Sequence, residues 1–208
     1  MCILFFFFKD IPIFKKEDIV IIENPNDILV LVNKKRRLKE DFIPNQLEAI
    51  SLAYSNQEKY LIHEARIAFE KLSEDAKKEG YSIIAVSAYR NYSYQEELYA
   101  SYVKEKGEDY ASKCSAMPGH SEHQTGLSLD VMGSNKDYNE FEQSKEFTWM
   151  KNHAHEYGFI LRYPKGKEKI TGFKYEPWHY RYVGIEHATY IFQNHLTLEE
   201  YLQKKEIH

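Results

Sequence analysis

The residue types best able to do chemistry gather in two blocks far apart along the chain. One is Ser121-Glu122-His123-Gln124-Thr125-Gly126-Leu127-Ser128-Leu129-Asp130, and the other is Glu176-Pro177-Trp178-His179. Between them they offer two imidazoles, His123 and His179, and the carboxylate of Asp130. Two nitrogens and an oxygen suit zinc, which binds tetrahedrally and, in catalytic sites, leaves one position to water. Glu176 is then a spare carboxylate. A water beside such a cation is acidified towards a pKa of about 7, so Glu176 is expected to take its proton while the metal polarises a carbonyl for attack. The same carboxyl can return the proton to a leaving amine, and the chemistry implied is peptide hydrolysis.

Taken singly, a histidine or aspartate is more often a surface or core residue than a ligand; it is the joint set that carries this reading. His63, His120, His153, His155, His187, His195 and His208 lack such companions and read as ordinary. His120, three residues before His123, could replace it if the intervening loop is bent.

The elements that must position these groups can be placed from pattern. Residues 114–125 hold Pro118, Gly119 and several small polar residues and read as a loop bearing His123. Residues 126–132 alternate as a strand does, with Asp130 at an even offset from Gly126. A last core strand is expected over 173–181. A base and a ligand three residues apart do not share a strand face, so Pro177 must mark a bend or an edge. The apolar spacing of Ala65, Ile67, Ala68, Phe69 and Leu72 predicts an amphipathic helix over 63–78, stopped at Gly80. A strand over 81–88 follows, then a helix with Ser93 as N-cap and Glu96 completing a capping box. A helix over 144–157 ends at Gly158, a strand begins at 159–161, and 184–195 and 198–205 look helical. Near the start, 19–22 and 28–32 read as short strands around the turn-type cluster 23–27.

Without a regular βαβ rhythm the expected class is α+β: a single domain with a small, mainly antiparallel sheet flanked by helices and the zinc site on the sheet. Residues 1–33 read as a lead-in and 34–208 as the catalytic domain. A chain of 208 residues, 43% hydrophobic and 29% charged, can bury one good core. The 17 tyrosines and 12 phenylalanines suit an aromatic core and a cleft that grips sugars or peptides alike. A net charge of -4 leaves no basic footprint, which argues against nucleic acid as a partner. The run Lys34-Lys35-Arg36-Arg37 reads as a solvated turn. Cys2 and Cys114 show no metal-binding spacing and are expected as free thiols. The apolar opening at residues 1–8 is too short to span a bilayer and reads as a secretion-signal stump or a strand.

At this point the residues resemble a known family. The pattern SxHxxGxxxD with a downstream ExxH is similar to that of the VanY-type D-alanyl-D-alanine carboxypeptidases and the related LD-carboxypeptidases of Gram-positive bacteria. The similarity runs from about Leu31 to Gly184, with Ser87-Ala88-Tyr89-Arg90-Asn91-Tyr92-Ser93-Tyr94-Gln95 matching a further element and Ser128 standing where the family usually has alanine. The resemblance implies a zinc enzyme with ligands His123, Asp130 and His179 and catalytic Glu176. It places Arg90, Gln95 and Ser121 around the terminal carboxylate of the substrate, and an arginine fork suits a carboxylate because it can donate two parallel hydrogen bonds. It further implies peptidoglycan stem peptides as substrates, removal of the terminal D-alanine, and an extracellular or envelope-associated monomer. A metal-stabilised module that binds wall peptides without cutting them, and a dipeptidase releasing D-alanyl-D-alanine, are the alternatives. Glu176 argues against the first, since a binder needs no base.

Overall fold

A computed structural model describes residues 19–133 and 140–206. The apolar opening at residues 1–8, with Cys2, lies outside them. The described elements begin with β1 (Val20–Ile21), β2 (Arg36–Arg37), β3 (Leu47–Ala49), β4 (Tyr60–Ile62), α1 (His63–Lys78), β5 (Ile84–Ser87), α2 (Tyr92–Lys106) and α3 (Glu108–Cys114). There follow β6 (Ser128–Met132), α4 (Lys145–His153), β7 (Phe159–Leu161), α5 (Glu168–Thr171), β8 (His179–Tyr182), α6 (Ile185–Gln193) and α7 (Leu198–Glu206). The class is α+β, as expected. A four-stranded antiparallel sheet in the order β5-β6-β8-β7 forms its centre.

The core forms because one face of α1 and one face of this sheet are apolar. Ala65, Phe69, Leu72 and Ala76 recur at helical spacing and are buried along α1. They pack with Leu129 and Val131 of β6 and Tyr180 of β8. Because strand side chains alternate, the other face of the sheet carries Ser128 and Asp130, opposite Arg181 and His179 respectively. One face is therefore a core and the other is polar. No described helix is long and apolar enough to cross a membrane.

Several local expectations change. α2 starts at Tyr92, with Asn91 as N-cap accepting a 2.8 Å bond from the Tyr94 amide, so Ser93 lies inside the helix. Asparagine is as good a cap as serine, and Asn91 comes first. Residues 28–32 form no strand. Asp27 accepts from the Leu29 amide, and the Ile28 and Val30 carbonyls accept from the Arg181 guanidinium where a strand partner would otherwise serve them. Val30 and Val32 still pack with Leu38 and Leu127. Arg36 and Arg37 are not a turn but pair in parallel with β1, while Lys34 donates to the Ser112 carbonyl at 3.0 Å. The last strand begins only at His179. Pro177, which has no amide hydrogen, lies in a turn that the His179 amide closes onto the Glu176 carbonyl at 3.2 Å. Cys114 is a free thiol.

Candidate metal centre and catalytic site

Asp130 and His179 face one another across β6 and β8. His123 reaches them from a 3-10 turn, Glu122–Thr125, that enters β6 through Gly126. Gly126 has φ +67, and a Cβ there would lie 3.0 Å from both the Ile62 and the Leu47 side chains, so glycine lets the turn sit close to β3 and β4 without displacing them or straining the backbone. The His123 ring is oriented by its Nδ1–H, which donates to the Ala88 carbonyl at 2.7 Å. Its Nε2 is thereby aimed at Asp130 Oδ1, 3.4 Å away, while His179 Nδ1 stands 3.0 Å from the same oxygen. The two rings meet edge-on with centroids 4.9 Å apart. One donor atom from each of the three buried residues lies within 4.8 Å of the others.

The electrostatics fit a cation at this point. Burial pushes the Asp130 carboxyl up, but His123 and His179 hold it well below the usual carboxylate range. Burial and the Arg90 charge press His123 down to about 4. Burial would lower His179 as well, yet its contacts with Asp130 and Glu122 carry it up to about 9. The cluster thus calls for positive charge among its carboxylates. A divalent metal on two imidazole nitrogens and a carboxylate oxygen answers that demand with the donor types zinc prefers.

Glu176 hangs over this cluster from the turn before β8. Its Oε2 is 3.8 Å from His179 Nδ1, and its backbone amide donates to the Tyr163 carbonyl at 3.2 Å. Burial pushes its carboxyl up to about 7, with His179 opposing. A base near neutrality can take and return a proton at physiological pH. The turn around Pro177 resolves the spacing problem, because Glu176 is not on the strand at all.

Arg90 lines the same cleft, a cavity of about 630 Å³ that also includes Ser121, Tyr163, Lys174, Glu176 and Trp178. Its Nε donates to Gln95 Oε1 at 3.0 Å and its Nη1 to Ser87 Oγ at 2.8 Å. Gln95 is buried behind Arg90, its amide nitrogen donating to the Ala116 carbonyl and Ser115 Oγ, so it braces the guanidinium from the rear. Trp178 is both a cleft wall and a partner of the core. His120 turns away, its Nδ1 2.8 Å from the Asn33 carbonyl. The other described histidines lie outside the metal-competent group, and His208 lies outside the described residues.

Sequence reasoning missed a second charged group directly behind the first. Glu122 is buried, with Oε1 accepting from Arg162 Nε at 2.7 Å and Arg181 Nη1 at 2.8 Å. Arg162 also grips Glu199 of α7 with two bonds of 2.9 and 2.7 Å. Ser128 Oγ donates to Glu122 Oε2 at 3.2 Å, so the hydroxyl at this position has a polar role beyond packing. The one available signal was the position of Glu122 between Ser121 and His123.

Residues 58–185, more than half of the chain, match the VanY family, described as D-alanyl-D-alanine carboxypeptidase. The protein YodJ of Bacillus subtilis (strain 168) is 43% identical over 205 residues, spanning 95% of this chain and 74% of YodJ. The LdcB LD-carboxypeptidase, whose structure addresses peptidoglycan recognition, superposes with a TM-score of 0.85 at 43% identity, covering 91% of this chain and 92% of that one. A mutant of the vancomycin resistance D,D-pentapeptidase VanY from the VanB-type cassette, in complex with Zn(II), superposes with a TM-score of 0.72 at 34% identity, covering 84% of this chain and 98% of that one.

Proposed function

Because this chain belongs to the VanY family of carboxypeptidases, we propose that it is a zinc-dependent carboxypeptidase that removes the terminal D-alanine from peptidoglycan stem peptides at the cell envelope. The observation that carries the reading is the convergence of His123, Asp130 and His179 donor atoms within 4.8 Å beneath the Glu176 carboxylate. His123 Nε2, Asp130 Oδ1 and His179 Nδ1 would hold the metal. Bound there, zinc would supply the Lewis acidity that polarises a scissile carbonyl and acidifies a water. Glu176 accepts the proton of the attacking water and passes it to the leaving amine. Arg90, held by Ser87 and Gln95, pairs with the substrate's free carboxylate, which selects chain ends over internal bonds. Ser121 lines the same cleft and supplies a further polar contact.

The test is to incubate zinc-loaded protein with tetrapeptide and pentapeptide stems, with and without chelator, and to weigh the products. Loss of a single terminal D-alanine, abolished by chelator, is expected. Hydrolysis of added free D-alanyl-D-alanine with both stems left intact would make the enzyme a dipeptidase instead, and no cleavage of either stem would overturn the proposal.

A further inference from the structure

Each ligand histidine has a second ring nitrogen, and the two are treated differently. The non-ligating nitrogen of His123 is its Nδ1, satisfied by the Ala88 carbonyl at 2.7 Å. His179 presents Nδ1 to the cluster, leaving Nε2 on the far side of the ring. That nitrogen is buried and makes no hydrogen bond within 3.5 Å among the described residues. The acceptor facing it is Glu122 Oε2, at 3.6 Å.

We infer that Glu122 is a positioning residue for His179: its carboxylate accepts the Nε2–H, so the ring keeps the tautomer that presents an unprotonated Nδ1 to the metal. This rests on the reading of His179 as a zinc ligand. A histidine that ligates through one nitrogen must carry its proton on the other, and a carboxylate acceptor sets that choice. Glu122 is built for the task. Its Oε1 is taken up by two guanidiniums, Arg162 and Arg181, which fix the carboxylate plane and leave Oε2 for Ser128 Oγ and the His179 ring. Tyr163, its ring 4.9 Å from that of His179, packs against the imidazole from another side.

Glu122→Gln discriminates sharply, because it keeps the shape and changes which atoms donate. The amide oxygen must turn to the two guanidiniums, since an NH2 group there would meet two donors. The NH2 then points at His179 Nε2, where it cannot accept a proton, and the Nδ1–H tautomer, which cannot ligate, is favoured.

Zinc affinity is measured by chelator competition on the full chain, alongside the melting temperature of the metal-free protein. Glu122→Gln is expected to weaken zinc binding on the order of 10- to 100-fold. Glu199→Gln, which unbalances the same buried charge group from the far side of Arg162 and bonds neither Glu122 nor His179, is expected to lower the melting temperature yet leave zinc affinity near that of the wild type. Equal losses of zinc affinity in the two variants, or none in Glu122→Gln, would overturn the inference. Should Glu122→Gln not fold, the His179 Nε2–H proton of the zinc-loaded wild type decides: a hydrogen bond to a carboxylate requires that proton to be strongly deshielded and slow to exchange, and the absence of either property refutes the inference. A wild type that binds no zinc refutes instead the ligand assignment on which the inference stands.

Discussion

At the rung where Asp130 faces His179, charged groups line an open cleft and converge, with the ligand atoms of His123, Asp130 and His179 within 4.8 Å of one another. One rung along the same sheet face, where Ser128 faces Arg181, the charges are closed off: Glu122, Arg162, Arg181 and Glu199 take up one another's hydrogen-bonding atoms. The first group gathers desolvated imidazoles around one buried carboxylate, an arrangement that suits a bound cation. The second balances each buried charge with a partner at 2.7–2.9 Å. The contrast separates charge kept for chemistry from charge used to hold the fold, and the imidazole of His179 stands between the two.

Substitutions in each group should separate the two uses of charge. The largest effect is expected from Glu176→Gln, which removes the proton acceptor from the open rung. Loss of general-base catalysis lowers kcat by about 10²- to 10⁴-fold, and melting and zinc content stay near wild type. Turnover within tenfold of wild type would show that Glu176 is not the base. Arg162→Met strikes the closed rung instead. Removing one partner of a buried ion pair costs about 3–5 kcal/mol because it leaves charge uncompensated, so denaturant unfolding shifts strongly while kcat falls far less than in Glu176→Gln. If both substitutions moved stability alike, the division of labour would fail.

Smaller changes sharpen the picture. Arg90→Lys keeps the charge but loses the fork and its bonds to Gln95 and Ser87. A charged hydrogen bond contributes about 1.5–3 kcal/mol, so KM for a stem peptide is expected to rise by about 10- to 100-fold with a lesser change in kcat. An unaltered KM would remove Arg90 from substrate binding. The smallest effect belongs to exposed charge. Lys71 and Lys78 hold Asp75, on α1, down to about 2. A carboxyl whose folded pKa lies below its unfolded value stabilises the fold above about pH 4, and that contribution is lost as pH falls towards 2. Melting of Asp75→Asn should therefore lie slightly below wild type at pH 7 and converge with it near pH 2.

The amino-acid sequence by itself determined which groups could gather at the site, the imidazoles of His123 and His179, the carboxyls of Asp130 and Glu176 and the Arg90 guanidinium, because these functional groups stand in short, recognisable blocks. It also determined α1, whose buried residues repeat every three to four positions, and the alternation that puts Asp130 on the polar face of β6. Only the tertiary structure decided which groups close on one another. Glu122 meets Arg162 and Arg181 across 40 and 59 residues of chain. Gln95 lies behind Arg90 because residues 115–116 fold back over it, and residues 28–30 forgo a strand because Arg181 reaches their carbonyls. Such pairings are set by sheet register and by chain crossings, which leave no periodic trace in the residues themselves.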